Sequence, residues 1–178
     1  MVYLFLADGF EECEALVPLD ILRRSNIKVK TVGIGSNTIT GSHGISVNCD
    51  TVNKDLSFDD LEAIILPGGL PGATNLENDK TVQSFIDYCV NNGLLISAIC
   101  AAPQILGHKG LLDGKNAICF PGFEKELKGA NIVDQKVVKD DNIITAWGAG
   151  AAFEFGFAIL EHLTDNATSQ NLKNAMKY

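Results

Sequence analysis

The chain has 178 residues, 46% of them hydrophobic and 20% charged, a balance typical of a globular protein with a core of its own. Its 22 acidic and 14 basic side chains give a net charge of −8, which argues against nucleic acid or an anionic membrane surface as a partner, because either requires a basic patch. No run approaches the roughly 18 apolar residues of a membrane span, and the apolar start of the chain is too short for a signal peptide, so we expect a single cytoplasmic domain over residues 1–178.

The hydrophobic pattern predicts strands that alternate with helices along most of the chain. In chain order, the expected elements are a strand at 2–7, a helix at 11–24, a strand at 28–34, a hairpin within 38–51, a strand at 63–66, a helix at 80–91, a strand at 94–99, a helix ending near 107–110, a strand at 117–120, a short helix at 123–128, a strand pair at 137–138 and 143–147, and helices at about 151–163 and 167–177. Pro18 is expected to kink or restart the first helix, and residues 67–72 are expected to form a loop. The alternation predicts an α/β fold with a mostly parallel sheet covered by helices on both faces.

The cysteines do not suggest a disulfide framework or a metal site, because their number is odd, none form a C-x-x-C pair and the histidines are not clustered. Cys100 stands where an apolar strand ends and a helix begins, with alanines around it. The free N–H groups of a helix start favour a thiolate there, so Cys100 is predicted to be a reactive thiol. The other cysteines are interpreted as unreactive, either buried in apolar runs or, for Cys13, surrounded by glutamates.

Two other segments are expected at the same edge of the sheet as Cys100. Gly68 and Gly69 follow the strand at 63–66, and their N–H groups could bind an oxyanion, although a plain tight turn also explains them. Glu11, Glu12 and Glu14 fall in the first turn of the helix after the first strand, and spacing does not choose among them.

Histidine and cofactor chemistry find less support in the sequence. His108 is predicted to point away from Cys100, whereas His162 falls late in a long helix and His43 in the hairpin loop. Each is expected to have a surface or capping role, so a papain-like pair is not expected. The chain has no phosphate-binding loop motif and no dinucleotide fingerprint, and we expect no cofactor.

Four motifs in their order and spacing resemble the ThiJ/PfpI superfamily, specifically its DJ-1 branch. They are G-F-E-E-C-E near the start, L-P-G-G in the middle, S-A-I-C-A-A-P at the elbow and G-A-G-A-A-F-E-F near the end. The resemblance covers essentially the whole chain and implies a flavodoxin-like three-layer sandwich and a homodimer. It also implies that Cys100 is an oxidisable nucleophile, that Glu14 is a protonated acid hydrogen-bonded to it, and that Gly68 and Gly69 supply amides to the pocket.

Several positions depart from the family pattern. Phe120 stands where many DJ-1 relatives carry a histidine, His43 where an arginine is expected, and Ala102 where the elbow often has glycine. Ala101 replaces the histidine that follows the cysteine in the protease branch, which counts against peptidase activity. The pocket is therefore expected to be lined by residues that include Ala101, Phe120 and His43, with a substrate polarity of its own.

The sequence thus predicts a cofactor-independent glyoxalase or deglycase that acts on 2-oxoaldehydes or their glycated adducts. Cys100 would add to the aldehyde, Glu14 would shuttle a proton, and the N–H groups of Gly69 and Cys100 would hold the alkoxide. The alternatives are a redox sensor or chaperone that uses oxidation of Cys100, and a binding domain with an inert thiol.

Overall fold

Strand β1 (Val2–Leu6) lies in the middle of a sheet and is buried on both faces. The computed structural model describes all residues from 1 to 178. Side chains of β1 alternate between two cores: Val2, Leu4 and Leu6 pack in one, whereas Tyr3 and Phe5 pack in the other. The sheet therefore needs helices on both sides, and it has them.

The helices are regular and mostly close to their predicted bounds. They are α1 (Glu12–Arg24), α2 (Gly72–Asn78), α3 (Lys80–Asn92), α4 (Pro103–His108), α5 (Ala152–Leu163) and α6 (Asn166–Met176), with 3₁₀ turns at Glu124–Glu126 and Ala149–Ala151. Residues of α2, α3 and α4 pack in the core that holds Phe5, and residues of α1 and α5 in the core that holds Leu4. None of the helices combines the length and the apolar character that crossing a membrane requires.

The sheet has seven strands, which run in the order β10-β11-β7-β6-β1-β2-β5. The strands of the chain are β1, β2 (Val29–Gly33), β3 (Thr38–Thr40), β4 (Ser46–Asn48), β5 (Thr51–Val52), β6 (Ala63–Leu66), β7 (Leu95–Ile99), β8 (Asn116–Ala117), β9 (Asn131–Ile132), β10 (Val137–Asp140) and β11 (Ile143–Ala146). All neighbours in the large sheet are parallel except β10 and β11. Its five main parallel strands, β2-β1-β6-β7-β11, have the flavodoxin-like order 2-1-3-4-5, which confirms the predicted fold class.

Several local predictions were wrong. Helix α1 continues through Pro18 as one element and does not restart. The strand predicted at 117–120 is only β8, which pairs with β9 in a separate small sheet. Beyond β8, the Ile118 N–H donates to Thr145 Oγ1 at 3.0 Å and the Phe120 N–H donates to the Cys100 carbonyl at 2.8 Å, so isolated hydrogen bonds hold this segment beside the main sheet. Helix α2 and strand β5 were not predicted.

Candidate active site

Cys100 lies in a sharp turn at the carboxyl end of β7, with the left-handed φ of 65°. Its N–H donates to the Ala146 carbonyl at 2.8 Å, and its carbonyl accepts the Phe120 N–H. A left-handed conformation costs a non-glycine residue about 1–2 kcal/mol, so it persists only where the surroundings fix it. The hydrogen bonds on both sides hold the thiol at the ligand-facing edge of the sheet.

Glu14 approaches Cys100 from the first turn of α1. Glu11 is the N-cap of this helix, and its Oε2 accepts the Glu14 N–H at 2.8 Å. The Glu14 side chain is fully buried; its Oε2 accepts the Gly68 N–H at 2.9 Å, and its Oε1 has no hydrogen-bond partner. Burial raises the pKa of Glu14 to about 7, and the nearby charge of Glu11 adds to this rise, whereas contacts with Cys100 and Gly68 oppose it.

The thiol and the carboxyl control each other's protonation. Burial, followed by the charge of Glu14 and its hydrogen bond, raises the pKa of Cys100 to about 12, although the N–H groups of Gly69 and Ala101 lower it. Burial and an ionised Glu14 thus oppose the thiolate that the helix start is expected to favour, and the two amides support it. A thiolate at Cys100 requires that Glu14 keep its proton, so the pair holds one negative charge rather than two.

The backbone of the glycine loop completes the site. The Gly68 N–H is bound to Glu14, whereas the N–H groups of Gly69 and Ala101 donate to no other backbone group. The predicted oxyanion contact from the N–H of Cys100 is wrong, because that group is bound to Ala146. The amides of Gly69 and Ala101, which face the Cys100 sulfur, are the donors that remain for an oxyanion beside it.

Gly68 leaves no room for a side chain. A Cβ placed on it would lie 2.6 Å from Cys100 Cβ and 2.7 Å from Glu14 Oε2. We therefore expect Gly68→Ala to separate the two reactive groups and to destabilise the protein by about 1–3 kcal/mol, measured by urea unfolding. Gly150→Ala is the matched control, because a Cβ there has no neighbour within 4 Å. Equal stability of the two variants would contradict this prediction.

His43 lies at the tip of the β3–β4 hairpin and contacts a different glutamate. Its Nδ1 lies 2.7 Å from Glu12 Oε2, its N–H donates to Glu12 Oε1 at 2.7 Å, and its side chain is 70% exposed. The structure thus distinguishes the three glutamates, since Glu11 caps α1, Glu12 holds the hairpin and Glu14 meets Cys100. Glu11, Glu12 and His43 place potential metal-binding atoms within 4.8 Å of one another, but the cap and the hairpin already use these atoms.

The other histidines are engaged or buried elsewhere. His108 lies between Glu77 and Glu126, at 2.5 and 2.9 Å. His162 is in α5, and its Nδ1 is buried without a partner. Cys49, Cys89 and Cys119 are buried, in line with their structural interpretation, and Cys13 is exposed on α1.

Phe120 and Trp147 flank the Cys100 elbow. The sequence indicated Phe120 as a pocket residue but not Trp147. Phe120 is 47% exposed and belongs, with Pro121, Trp147 and residues 148–150, to an open cleft beside Cys100. Trp147 follows β11, which pairs with β7, so its position depends on strand order. No local pattern of the sequence marks it as part of a site.

The flavodoxin-like sheet and the buried acid beside a strained cysteine define an α/β protein with a cysteine elbow. The DJ-1/PfpI family model matches residues 1–162, and the chain belongs to this family, in its DJ-1 branch. It is 33% identical over 174 residues to the protein dj-1beta of Drosophila melanogaster, covering 96% of this chain and 93% of that protein. It is also 31% identical over 147 residues to a deglycase of Pyrococcus abyssi, covering 82% of this chain and 88% of that protein.

Solved structures agree with this assignment. A DJ-1 superfamily protein from Salmonella typhimurium superimposes with a TM-score of 0.94 at 34% identity, covering 99% of this chain and 97% of that one. Oxidized DJ-1 from Toxoplasma gondii gives a TM-score of 0.95 at 27% identity, again covering 99% and 97%. The resemblance seen in the motifs and the flavodoxin-like fold are thereby confirmed.

Proposed function

We propose that this protein is a cytoplasmic, cofactor-independent enzyme that acts on small 2-oxoaldehydes such as methylglyoxal, or on their adducts with thiols and amines. The observation that carries the proposal is the fully buried Glu14 beside Cys100, with a pKa of about 7. A carboxyl with such a pKa can both give and accept a proton at neutral pH, which is what a proton shuttle requires. The deglycase among the relatives supports the same chemistry.

The first step is addition of Cys100 Sγ to the aldehyde carbon. A C–S bond forms, the carbonyl π bond breaks, and the amides of Gly69 and Ala101 hold the developing oxyanion. The single proton shared by Cys100 and Glu14 moves to this oxygen and gives a hemithioacetal. Glu14 is then a carboxylate and can act as a base.

The following steps return the enzyme to its starting state. Glu14 takes the proton from the former aldehyde carbon and delivers it to the neighbouring carbon, which converts the hemithioacetal into a 2-hydroxy thioester. Water adds to the thioester, the C–S bond breaks, and a 2-hydroxy acid leaves. The overall change adds one water to the aldehyde, so no oxidant or reductant is consumed.

The test is conversion of methylglyoxal to lactate by the purified protein without glutathione. We expect turnover that rises with enzyme concentration and survives dialysis against a chelator. The absence of lactate at all enzyme concentrations would contradict the proposal.

A redox role for Cys100 is the second candidate, favoured by the half-exposed position of this cysteine and by the relative whose structure is described as oxidized. A peroxide would supply the oxygen, and a protonated Glu14 would donate a hydrogen bond to the sulfinate product. Mass spectrometry after mild peroxide treatment distinguishes the roles. Stoichiometric oxidation of Cys100 that suppresses client aggregation, in a protein without aldehyde turnover, would favour the sensor.

We also propose that the protein works as a homodimer, as its likeness to the family implies. Light scattering should then give twice the 19.1 kDa mass of the chain. A mass equal to one chain across the working concentration range would contradict this.

A further inference from the structure

The cleft beside Cys100 has apolar walls. Its volume is about 390 Å³, within the range of small-molecule sites, and it is lined by Phe120, Pro121, Trp147 and residues 148–150. An exposed phenylalanine next to a tryptophan offers flat apolar surface to a ligand. Nothing in the steps of the proposed reaction uses these two rings.

The backbone that lines one side of the cleft lies against the reactive carboxyl. A Cβ placed on Gly148 would lie 3.2 Å from Phe120 Cδ2 and 4.0 Å from Glu14 Oε1, so this glycine separates the phenyl ring from the carboxyl without filling the space between them. Backbone hydrogen bonding by Ala149 also acts on the Glu14 carboxyl, which places residues 148–150 against it.

The walls are held in place by the backbone. The Phe120 N–H donates to the Cys100 carbonyl at 2.8 Å, and the Trp147 N–H donates to the Lys136 carbonyl at 3.1 Å. Phe120 is thus tied to the Cys100 turn, and Trp147 to the β10–β11 pair, whose strand β11 lies beside β7.

We propose that Phe120 and Trp147 make the site selective for 2-oxoaldehydes with a flat apolar substituent, such as phenylglyoxal, over those with a methyl group. This inference rests on the proposed function for its reaction, in which phenylglyoxal and water give mandelate. The rings cover the substituent of the substrate, and each added buried carbon increases the affinity of the transition state. The preference belongs to residues of this chain, since Phe120 is a departure from the family pattern.

The kinetic experiment compares kcat/KM for phenylglyoxal and methylglyoxal in the wild type, Phe120→Ala and Phe58→Ala. Phe58 is the matched control, because it is 38% exposed and packs against Phe85 and Tyr88 rather than in the cleft. We expect a ratio of about ten or more in favour of phenylglyoxal in the wild type and in Phe58→Ala. In Phe120→Ala the ratio should fall at least about five-fold. An unchanged ratio in Phe120→Ala would overturn the proposal.

A binding measurement separates this inference from the reaction itself. Trp147 is the single tryptophan of the chain, so its fluorescence reports directly on the cleft. Mandelate and lactate carry the same charge and differ in the substituent, and we expect mandelate to bind about ten-fold more tightly in the wild type but not in Phe120→Ala. If neither aldehyde is converted, the proposed reaction is wrong. The difference in affinity between mandelate and lactate then decides by itself whether the cleft is selective. Equal affinities for the two acids would overturn the selectivity.

Discussion

Replacing Cys100 by serine is expected to lower kcat/KM for methylglyoxal by on the order of 10³-fold or more, because the step that begins the reaction needs an ionised nucleophile. Serine has nearly the same shape and keeps the turn at φ 65°, so the fold should persist. Its hydroxyl is far less acidic and far less nucleophilic than a thiol, so addition to the aldehyde carbon should be slow. Lactate formation at several substrate concentrations gives the value.

Cys13→Ser is the control for this substitution. Cys13 is exposed and lies between Glu12 and Glu14 in the first turn of α1. Its pKa is raised by partial desolvation of the thiol and by the charges of the three neighbouring glutamates. Losing its thiol should leave turnover unchanged. If Cys100→Ser is as active as the wild type, the nucleophile has been assigned wrongly; if Cys13→Ser is inactive as well, the loss does not report on nucleophilicity.

The elements that could be predicted are those whose sequence signals are local. Strand β6 has its predicted bounds, because four apolar residues stand between a polar segment and a Pro-Gly loop. Helix α3 matches to within one residue, since Asp79 caps its start and Gly93 ends it in a left-handed conformation. In these cases the chain carries its own start and stop signals.

Prediction failed where tertiary packing decides. Helix α1 passes through Pro18 because its buried side packs on α5, where Gly156 is so close that a Cβ would lie 3.0 Å from Pro18 Cα. Helix α2 has only seven residues, too few for a periodic pattern. The segment after β8 reads as a strand, yet it contributes only single hydrogen bonds to its neighbours.

The choice among the three glutamates shows why the site was only partly predictable. Side chains advance about 100° per residue around a helix, so Glu12 and Glu14 point in nearly opposite directions. Which of them faces Cys100 depends on where the helix begins, and Glu11 sets this as the cap. Helix ends are the least certain part of a sequence-based assignment. The family motif, rather than the spacing, selected Glu14.

Glu14→Gln is expected to change the pH dependence of stability strongly. The pKa of Glu14 rises from its ordinary value of 4.5 to about 7 on folding. Below pH 4.5 the carboxyl is protonated in both the folded and the unfolded state, so it does not change the free energy of unfolding. Between pH 4.5 and 7 the unfolded chain ionises first, and stability falls by about 1.4 kcal/mol per pH unit, or about 3 kcal/mol in total. Glutamine does not titrate. The free energy of unfolding of the variant, relative to wild type, should therefore rise by about 3 kcal/mol between pH 4.5 and 8 in urea titrations.

Glu12→Gln should give a difference of the opposite sign and so serves as the control. Burial opposes ionisation of Glu12, but hydrogen bonds from His43 prevail and lower its pKa. Its contribution to stability is thus present above the unfolded pKa and is lost as the pH falls through the folded pKa. The free energy of unfolding of this variant, relative to wild type, should therefore fall as the pH rises towards about 5. Parallel curves for the two variants would mean that the buried carboxyl beside Cys100 is ionised in the folded protein, and the proton shuttle would lose its physical basis.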